Sequence, residues 1–355
     1  MLTVIATGGT GGHLFPALAV ANALRRSASS DEVLFICGTS ELELRLIGGA
    51  GFEARSIGFV PIVGKGVKGI LKFLVVFPGA ALRTVLLYRK RRPRLVIGYG
   101  GYPSFVPVLI GWLMRIPVVI HELNATAGLA NRVLAPLAQI VFAVPGCTRL
   151  RASRIHYVRN PVREEFRQIL PWRDPTTENP LTLLILGGSQ GATRLNDAIL
   201  ELADYFRTCA AHVIHQTGAR DYSRVRAKYD EGRVSNVEVY DFINNMPDVF
   251  SRAHLVISRA GAMTVAEVAA SGRPAVFVPL DLAEAHQEKN VAELVSRGQA
   301  LIVRQVPDLG VKLREQLERI LGEGNQLQKM AKVADAYRAS AISSVEQIVA
   351  RLQSI

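Results

Sequence analysis

The chain carries one structural unit twice. LTVIATGGTGGHLFPALAVANAL begins at Leu2, and LTLLILGGSQGATRLNDAIL begins 179 positions later at Leu181. Each reads Leu-Thr, four residues of strand type, Gly-Gly, a hydroxyl residue, one further residue, Gly, and then a helical run. A buried strand that ends in glycines and turns at once into a helix opens a βαβ unit. The duplication therefore predicts two α/β domains, each doubly wound around its own parallel sheet. The length of 355 residues agrees, since two domains of about 150–200 residues fit it better than one core.

Further runs support the alternation. LTVIAT, EVLFIC, RLVIGYG and IPVVIH read as buried parallel strands in the first half, separated by helical patterns such as 15–27 and 128–138. LTLLILGG, HVIHQTG, VEVYDF, LVISRAG and PAVFVPL repeat the scheme in the second half. The polar, proline-rich LPWRDPTTENP at 170–180 marks the passage between them, so domains are expected at 1–162 and 163–355. A final helix at about 327–353 is placed in the second domain by sequence order, with packing back onto the first left open.

Successive backbone N–H groups at a helix N-terminus favour an anion, and glycine lets the backbone approach it closely. The loops at 8–12 and 187–191 offer this twice, and GYGGYPS at 98–104 offers a third glycine loop. A tight turn without ligand is the alternative for any single loop, but two loops in register argue for phosphate. Neither is followed by Gly-Lys-Ser/Thr, so neither is a Walker loop. The literal G-x-G-x-x-G at 64–69 follows a Pro-containing run and has no acid about 20 positions on, and we read it as fortuitous.

Charge is divided unevenly. Residues 1–160 hold 19 Lys and Arg against 6 Asp and Glu, whereas residues 161–355 hold 23 against 24. A basic first half implies an anionic partner. The stretch KGVKGILKFLVVFPGAALRTVLLYRKRRPR at 65–94 concentrates this charge among apolar residues. Lys72, Pro78 and Arg83 rule out a membrane span there, so it reads as an interfacial segment against anionic lipid, with a core helix plus a basic turn as the alternative. No nucleic-acid motif accompanies it. Cys37, Cys147 and Cys209 are too far apart for a metal or redox motif and are expected as free thiols in a reducing compartment. Met1 runs directly into a strand, so no cleavable signal peptide is expected.

Taken together, GGTGGHLFPALAVA, GYGGYPS, HELNATAGLANR, NPVREEF, GGSQGA, HQTG and SRAGAMTVAEVAASGRPAVFVPL…HQEKNVAEL resemble the MurG family of bacterial glycosyltransferases, in order from residue 8 to about 294. The resemblance implies the GT-B fold, two Rossmann-like domains with a deep interdomain cleft. It further implies an inverting transfer of GlcNAc from UDP-GlcNAc to the C4 hydroxyl of a muramyl-pentapeptide pyrophosphoryl-undecaprenol (lipid I), giving lipid II for peptidoglycan synthesis. Acceptor and membrane would belong to the first domain and donor to the second, with the enzyme peripheral at the cytoplasmic face of the plasma membrane. Another GT-B enzyme, acting on a different lipid or epimerising UDP-GlcNAc, is the alternative.

His13, at the start of a helix whose dipole disfavours imidazolium, is the candidate general base or acceptor-orienting residue, with a purely structural cap of the loop as the alternative. The resemblance assigns donor contacts to Thr10, Gly11, Gly12, Asn124, Arg163, Ser189, Gln190, Gly191, Ile243, Gly261, Ala262, Met263, Thr264, Val265, Ala266, Glu267, Gln287 and Asn290. Within that set, Ile243 faces the uracil, Glu267 the ribose hydroxyls, and Gln287 and Asn290 the GlcNAc hydroxyls. Gly9, Gly100, Gly101 and Tyr102 fall to the acceptor. His121 and Glu122 lack the second His of a zinc-protease motif, and no Asp-x-Asp pair or ligand cluster occurs, so no metal or other cofactor is expected to be obligatory. The chain departs from the family pattern at Leu123, Arg159, Asn244, Asn245 and Ala285.

Overall fold

The computed structural model describes residues 1–8, 11–27, 32–58, 66–188, 191–209, 211–280, 286–322, 324–342 and 344–355. The chain divides into two compact units, Met1–Arg163 with Ser343–Ile355, and Glu164–Ile342.

In the first unit the strands are β1 (Leu2–Ala6), β2 (Glu32–Cys37), β3 (Glu53–Ser56), β4 (Leu95–Gly98), β5 (Val118–Glu122), β6 (Ile140–Ala143) and β7 (Ile155–Tyr157). Between them run α1 (Gly11–Ser27), α2 (Glu41–Gly49), α3 (Gly66–Arg91), α4 (Tyr102–Leu113) and α5 (Leu129–Leu134). The pattern at 128–138 is shorter than a full helix, because α5 passes into a 3-10 turn at Ala135–Leu137 that contains Pro136. All seven strands are parallel, in the order β3-β2-β1-β4-β5-β6-β7. β1, β4, β5 and β6 are buried at every residue, which explains their continuous apolar sequences.

The second unit repeats the architecture. Its strands are β8 (Thr182–Leu186), β9 (His212–Gln216), β10 (Val237–Tyr240), β11 (Leu255–Ser258), β12 (Ala275–Phe277) and β13 (Ala300–Ile302), parallel in the order β10-β9-β8-β11-β12-β13. Its helices are α6 (Thr193–Leu200), α7 (Ala203–Thr208), α8 (Tyr222–Glu231), α9 (Met246–Arg252), α10 (Ala262–Ser271), α11 (His286–Ser296), α12 (Leu309–Leu321) and α13 (Gln326–Ile342). The polar stretch at 170–180 packs on this unit, where the Trp172 indole donates to the His254 carbonyl at 3.0 Å.

In each sheet the strand order reverses beside the first strand of the repeat, between β1 and β4 and between β8 and β11. Ligands of open parallel sheets sit at such reversals, outside the carboxyl ends of the strands. The described glycines of the duplicated loops, Gly8, Gly11 and Gly12 after β1 and Gly187, Gly188 and Gly191 after β8, follow the strands at those two places.

The expected single C-terminal helix is two. After α13, α14 (Ser344–Gln353) belongs to the first unit and packs on α1. Val345, Ile348, Val349 and Leu352 are buried there, and Ser344 Oγ donates to the Asn160 carbonyl at 3.4 Å. Burial of that apolar stripe, rather than chain continuity, decides which unit the last helix joins.

Candidate active site

In the first unit the loops after β1 and β4 press together. Gly100 and Gly101 have φ of 82° and 74°, and a Cβ on Gly101 would lie 2.8 Å from the Gly8 carbonyl oxygen. Both positions therefore need glycine. Tyr102 opens α4, and Gly11, Gly12 and His13 are the first three residues of α1, which has no acid in its first turn. Gly9 and Thr10 lie outside the described residues.

His13 is half-buried. Burial lowers its pKa below the usual histidine value, and the Glu122 carboxylate opposes the shift. The imidazole is thus kept neutral, as the sequence argument required, chiefly through desolvation. Glu122 is itself buried and fully engaged. Its Oε1 accepts from Asn124 N at 2.8 Å and Asn124 Nδ2 at 3.1 Å, and its Oε2 from Gly128 N and Asn131 Nδ2, both at 2.9 Å. Asn124 is thereby oriented. Arg163 stacks over Phe15, its guanidinium carbon 4.6 Å from the ring centre. His121 is buried against Tyr99 and Phe142, and burial holds its pKa near 3.

In the second unit a cavity of about 610 Å³ opens at the switch point. The glycine loop after β8 contributes Gly187, Gly188 and Gly191, the start of α6 contributes Thr193 and Arg194, and the loop after β11 contributes Arg259, Gly261 and Thr264. Gln287 and Gln305 add polar groups and Leu280 an apolar one, and among the described residues no Asp or Glu lines the space. α6 and α10 have no acid in their own first turns, so their N-termini favour an anion, although the Asp221 carboxylate, bonded by Asn196, lies behind the start of α6. Gln287 is fixed by accepting from Leu280 N at 2.9 Å, and Asn290 Nδ2 donates to the Ala260 carbonyl at 3.1 Å. Ile243 and Glu267 are buried elsewhere in this unit, and Ala262, Met263, Val265 and Ala266 continue α10. Of the expected donor residues, Gly191, Gly261, Thr264 and Gln287 are brought together here, whereas Ile243, Glu267 and Asn290 do not line the cavity. Ser189 and Gln190 lie outside the described residues.

A buried polar chain supports this loop from below. Asn196 Nδ2 donates to the Thr217 carbonyl at 3.0 Å and to Asp221 Oδ2 at 2.8 Å. Its Oδ1 therefore accepts from His215 Nε2 at 3.2 Å, leaving His215 Nδ1 to accept from the Tyr229 hydroxyl at 3.0 Å. Burial holds the His215 pKa near 3, so the ring stays neutral, as this pattern demands.

With that geometry in view, comparison with known proteins decides the family. Residues 3–143 match the glycosyltransferase family 28 N-terminal domain and residues 182–351 its C-terminal domain. The UDP-N-acetylglucosamine–N-acetylmuramyl-(pentapeptide) pyrophosphoryl-undecaprenol N-acetylglucosamine transferase of Tolumonas auensis is 38% identical over 99% of this chain and 98% of its own. The chain belongs to glycosyltransferase family 28, among its MurG members. A second relative with the same description, from Anaeromyxobacter, is 36% identical over 94% of this chain and 88% of its own. The crystal structure of Acinetobacter baumannii MurG superposes with a TM-score of 0.74 at 30% identity, covering 100% of this chain and 99% of that one. The resemblance read from the motifs and the GT-B class of fold are thus borne out.

The family 28 chain also shows what its basic stretch does locally. Residues 66–91 form one helix, α3, so Gly66 and Gly69 of the G-x-G-x-x-G lie in its first turn; Gly64 and Lys65 are outside the described residues. One side of α3 packs on α4, with Phe73 6.1 Å from Phe105 and the Tyr88 hydroxyl donating to the Pro107 carbonyl. On another side Leu74, Val75, Leu82 and Leu86 are exposed, as are Trp112 and Leu113 at the end of α4. Arg91 is spent on Glu32 and Glu53, and Arg83 on the Ile57 carbonyl, whereas Lys72, Arg89, Lys90 and Arg92 are exposed. No helix among the described residues is long and apolar enough to cross a membrane, nor do those residues form a His, Cys, Asp and Glu group able to hold a metal ion.

Sequence reasoning passed over Arg194, Arg259, Gln305 and the structural part of Glu122. A readable signal existed for the arginines, since a cation at a helix N-terminus opposes the helix dipole and so marks a place where an anion is due.

Proposed function

We propose that this glycosyltransferase moves GlcNAc from UDP-GlcNAc to the C4 hydroxyl of N-acetylmuramyl-(pentapeptide) pyrophosphoryl-undecaprenol, inverting the anomeric centre and giving lipid II. The observation that carries the reading is the cavity at the second switch point, with glycine backbone, two helix N-termini and two arginines but no carboxylate among the described residues. That lining suits a diphosphate. The anomeric C–O bond breaks toward UDP, and the charge arriving on the β-phosphate meets preorganised N–H donors and Arg259, each such donor being worth about 100-fold or more in rate. Arg259 is held ready by the Val278 carbonyl at 3.2 Å and Gln305 Oε1 at 2.5 Å. Charge stabilisation of this kind supplies what a metal otherwise would, so activity is expected to persist in EDTA. Ser189, Gln190 and Gly191 would contact the phosphates, Glu267 the ribose, Ile243 the uracil, and Gln287 and Asn290 the sugar.

In the first unit His13 would take the proton of the acceptor hydroxyl, with Gly9, Gly100, Gly101 and Tyr102 shaping the acceptor loops. The exposed apolar row on α3, with Trp112, Leu113 and the exposed basic residues nearby, supports peripheral docking on anionic lipid, where a polyprenyl-linked acceptor is found. Incubation of radiolabelled UDP-GlcNAc with a short-chain lipid I analogue should yield labelled lipid II, with UDP-glucose and UDP-GalNAc competing weakly. Label transferred to neither lipid nor water would sink the reading; release of free sugar, or epimerisation of the donor, would assign the fold to another chemistry.

A further inference from the structure

We propose that Arg194 is a second, unlatched cation for the donor diphosphate, working beside Arg259 as the leaving group departs. This rests on the donor-site reading above and adds to it a residue that the sequence motifs do not mark.

Arg194 is the second residue of α6 and is exposed. It lines the 610 Å³ cavity together with Arg259 and Gln305. Among the described residues its guanidinium makes no hydrogen bond and no ion pair. Asp197, one turn further along α6, could have neutralised it but is taken by Arg224 at 2.7 Å. Arg194 also borders a neighbouring hollow of about 490 Å³ that contains Asp197 and Glu201, so its long side chain stands on the ridge between that acidic hollow and a space whose described lining holds two arginines and no acid. Burial and the proximity of Arg194 both lower the Arg259 pKa, which places the two guanidinium groups within electrostatic reach. Like charges are held near one another at a helix N-terminus only at some cost to the empty protein. A ligand with more than one negative charge relieves that cost. UDP, which gains charge on its β-phosphate oxygen as the sugar leaves, is such a ligand. The two arginines divide the work: Arg259 is pinned by two acceptors and prepositioned, while Arg194 is free to swing onto the phosphate.

The test is calorimetric titration of the full chain with UDP and with uridine, at low and high salt, for the wild type, Arg194→Gln and Arg194→Lys. Arg194→Gln should weaken UDP about fivefold, leave uridine unchanged, flatten the salt dependence of UDP binding, and raise KM for UDP-GlcNAc by a similar factor. Arg194→Lys should keep most of the affinity, because the charge remains. UDP affinity and salt slope unchanged in Arg194→Gln would overturn the proposal, as would equal losses for UDP and uridine. Wild-type protein that binds no UDP at all would instead overturn the donor-site reading beneath it.

Discussion

Gly218 is packed against Gly191 so closely that a Cβ on it would lie 2.5 Å from the Gly191 Cα and 2.6 Å from the Gly191 nitrogen. Both residues have positive φ, 80° and 77°. The loop after β9 thus buttresses the glycine loop after β8, proposed above to hold the donor phosphates, backbone on backbone, with no flexible side chain able to yield. Gly218→Ala should cost about 2–4 kcal/mol through overpacking and left-handed strain. It should also raise KM for UDP-GlcNAc at least tenfold, because the phosphate loop must shift. Gly188→Ala has a similar φ of 78° but nothing within 4 Å of its Cβ, so its stability loss should be confined to the backbone term. Steady-state kinetics and thermal melts compare the two, and equal melting temperatures would contradict the packing argument.

On the proposed role of His13 as general base, His13 and Glu122 together would set the acid limb of the reaction. The imidazole must be neutral to accept a proton, and burial already places its pKa below the ordinary histidine value. The acid limb of kcat/KM should therefore lie below pH 6.5. Glu122 raises that pKa, so Glu122→Gln should move the limb to still lower pH while also reducing kcat, since the carboxylate orients Asn124 and Asn131. His13→Ala should lose about 100-fold or more in kcat. An acid limb that rises in pH in Glu122→Gln would remove His13 from the base role.

What could be read ahead of the structure follows from where physics is local. β1, β4, β8 and β11 are buried throughout and announce themselves as apolar runs closed by glycine. β3 is Glu-Ala-Arg-Ser, half-exposed at a sheet edge, and β7 is three residues long, so neither offers a run to see. The apolar period continues across 343, which hides the break between α13 and α14; what separates them is a tertiary surface on α1. The four amide N–H hydrogen bonds that Glu122 accepts come from positions 124, 128 and 131, close in sequence and open to being read, yet a metal-motif test discards the residue. The cavity that joins Arg194 to Arg259 forms only when α6 and the loop after β11 meet across the switch point, and nothing local to either segment records that meeting.

Glu238 links folding to pH. Burial works against its ionisation, but hydrogen bonds from Arg252, Tyr240 and His212 outweigh that and hold its pKa at about 2. A carboxyl depressed in the folded state contributes stability that is present above the unfolded value of about 4.3 and is lost as pH falls toward 2. With partial solvent screening the contribution should be about 1–2 kcal/mol. Glu238→Gln should lower the melting temperature at pH 7 and shrink the difference in melting temperature between pH 7 and pH 3. An unchanged pH dependence in the variant would show that other carboxylates govern acid unfolding.

The exposed row on α3 gives the last prediction. Leu82 and Leu86 are one helical turn apart and are 59% and 56% exposed, beside the exposed Arg89 and Lys90. On an anionic vesicle each base near the surface contributes about 1 kcal/mol. Arg89→Glu with Lys90→Glu should therefore weaken co-sedimentation with phosphatidylglycerol vesicles by about 2 kcal/mol, roughly 30-fold. Leu82→Glu with Leu86→Glu should weaken it on neutral vesicles as well, since it removes the apolar part of the contact. High salt should erase the first effect and spare the second. Neither pair touches the glycine loops, so turnover of a short-chain, water-soluble acceptor should stay within about twofold of wild type, a change too small for a general base. Vesicle binding that survives all four substitutions would move the membrane contact to another face of the first unit.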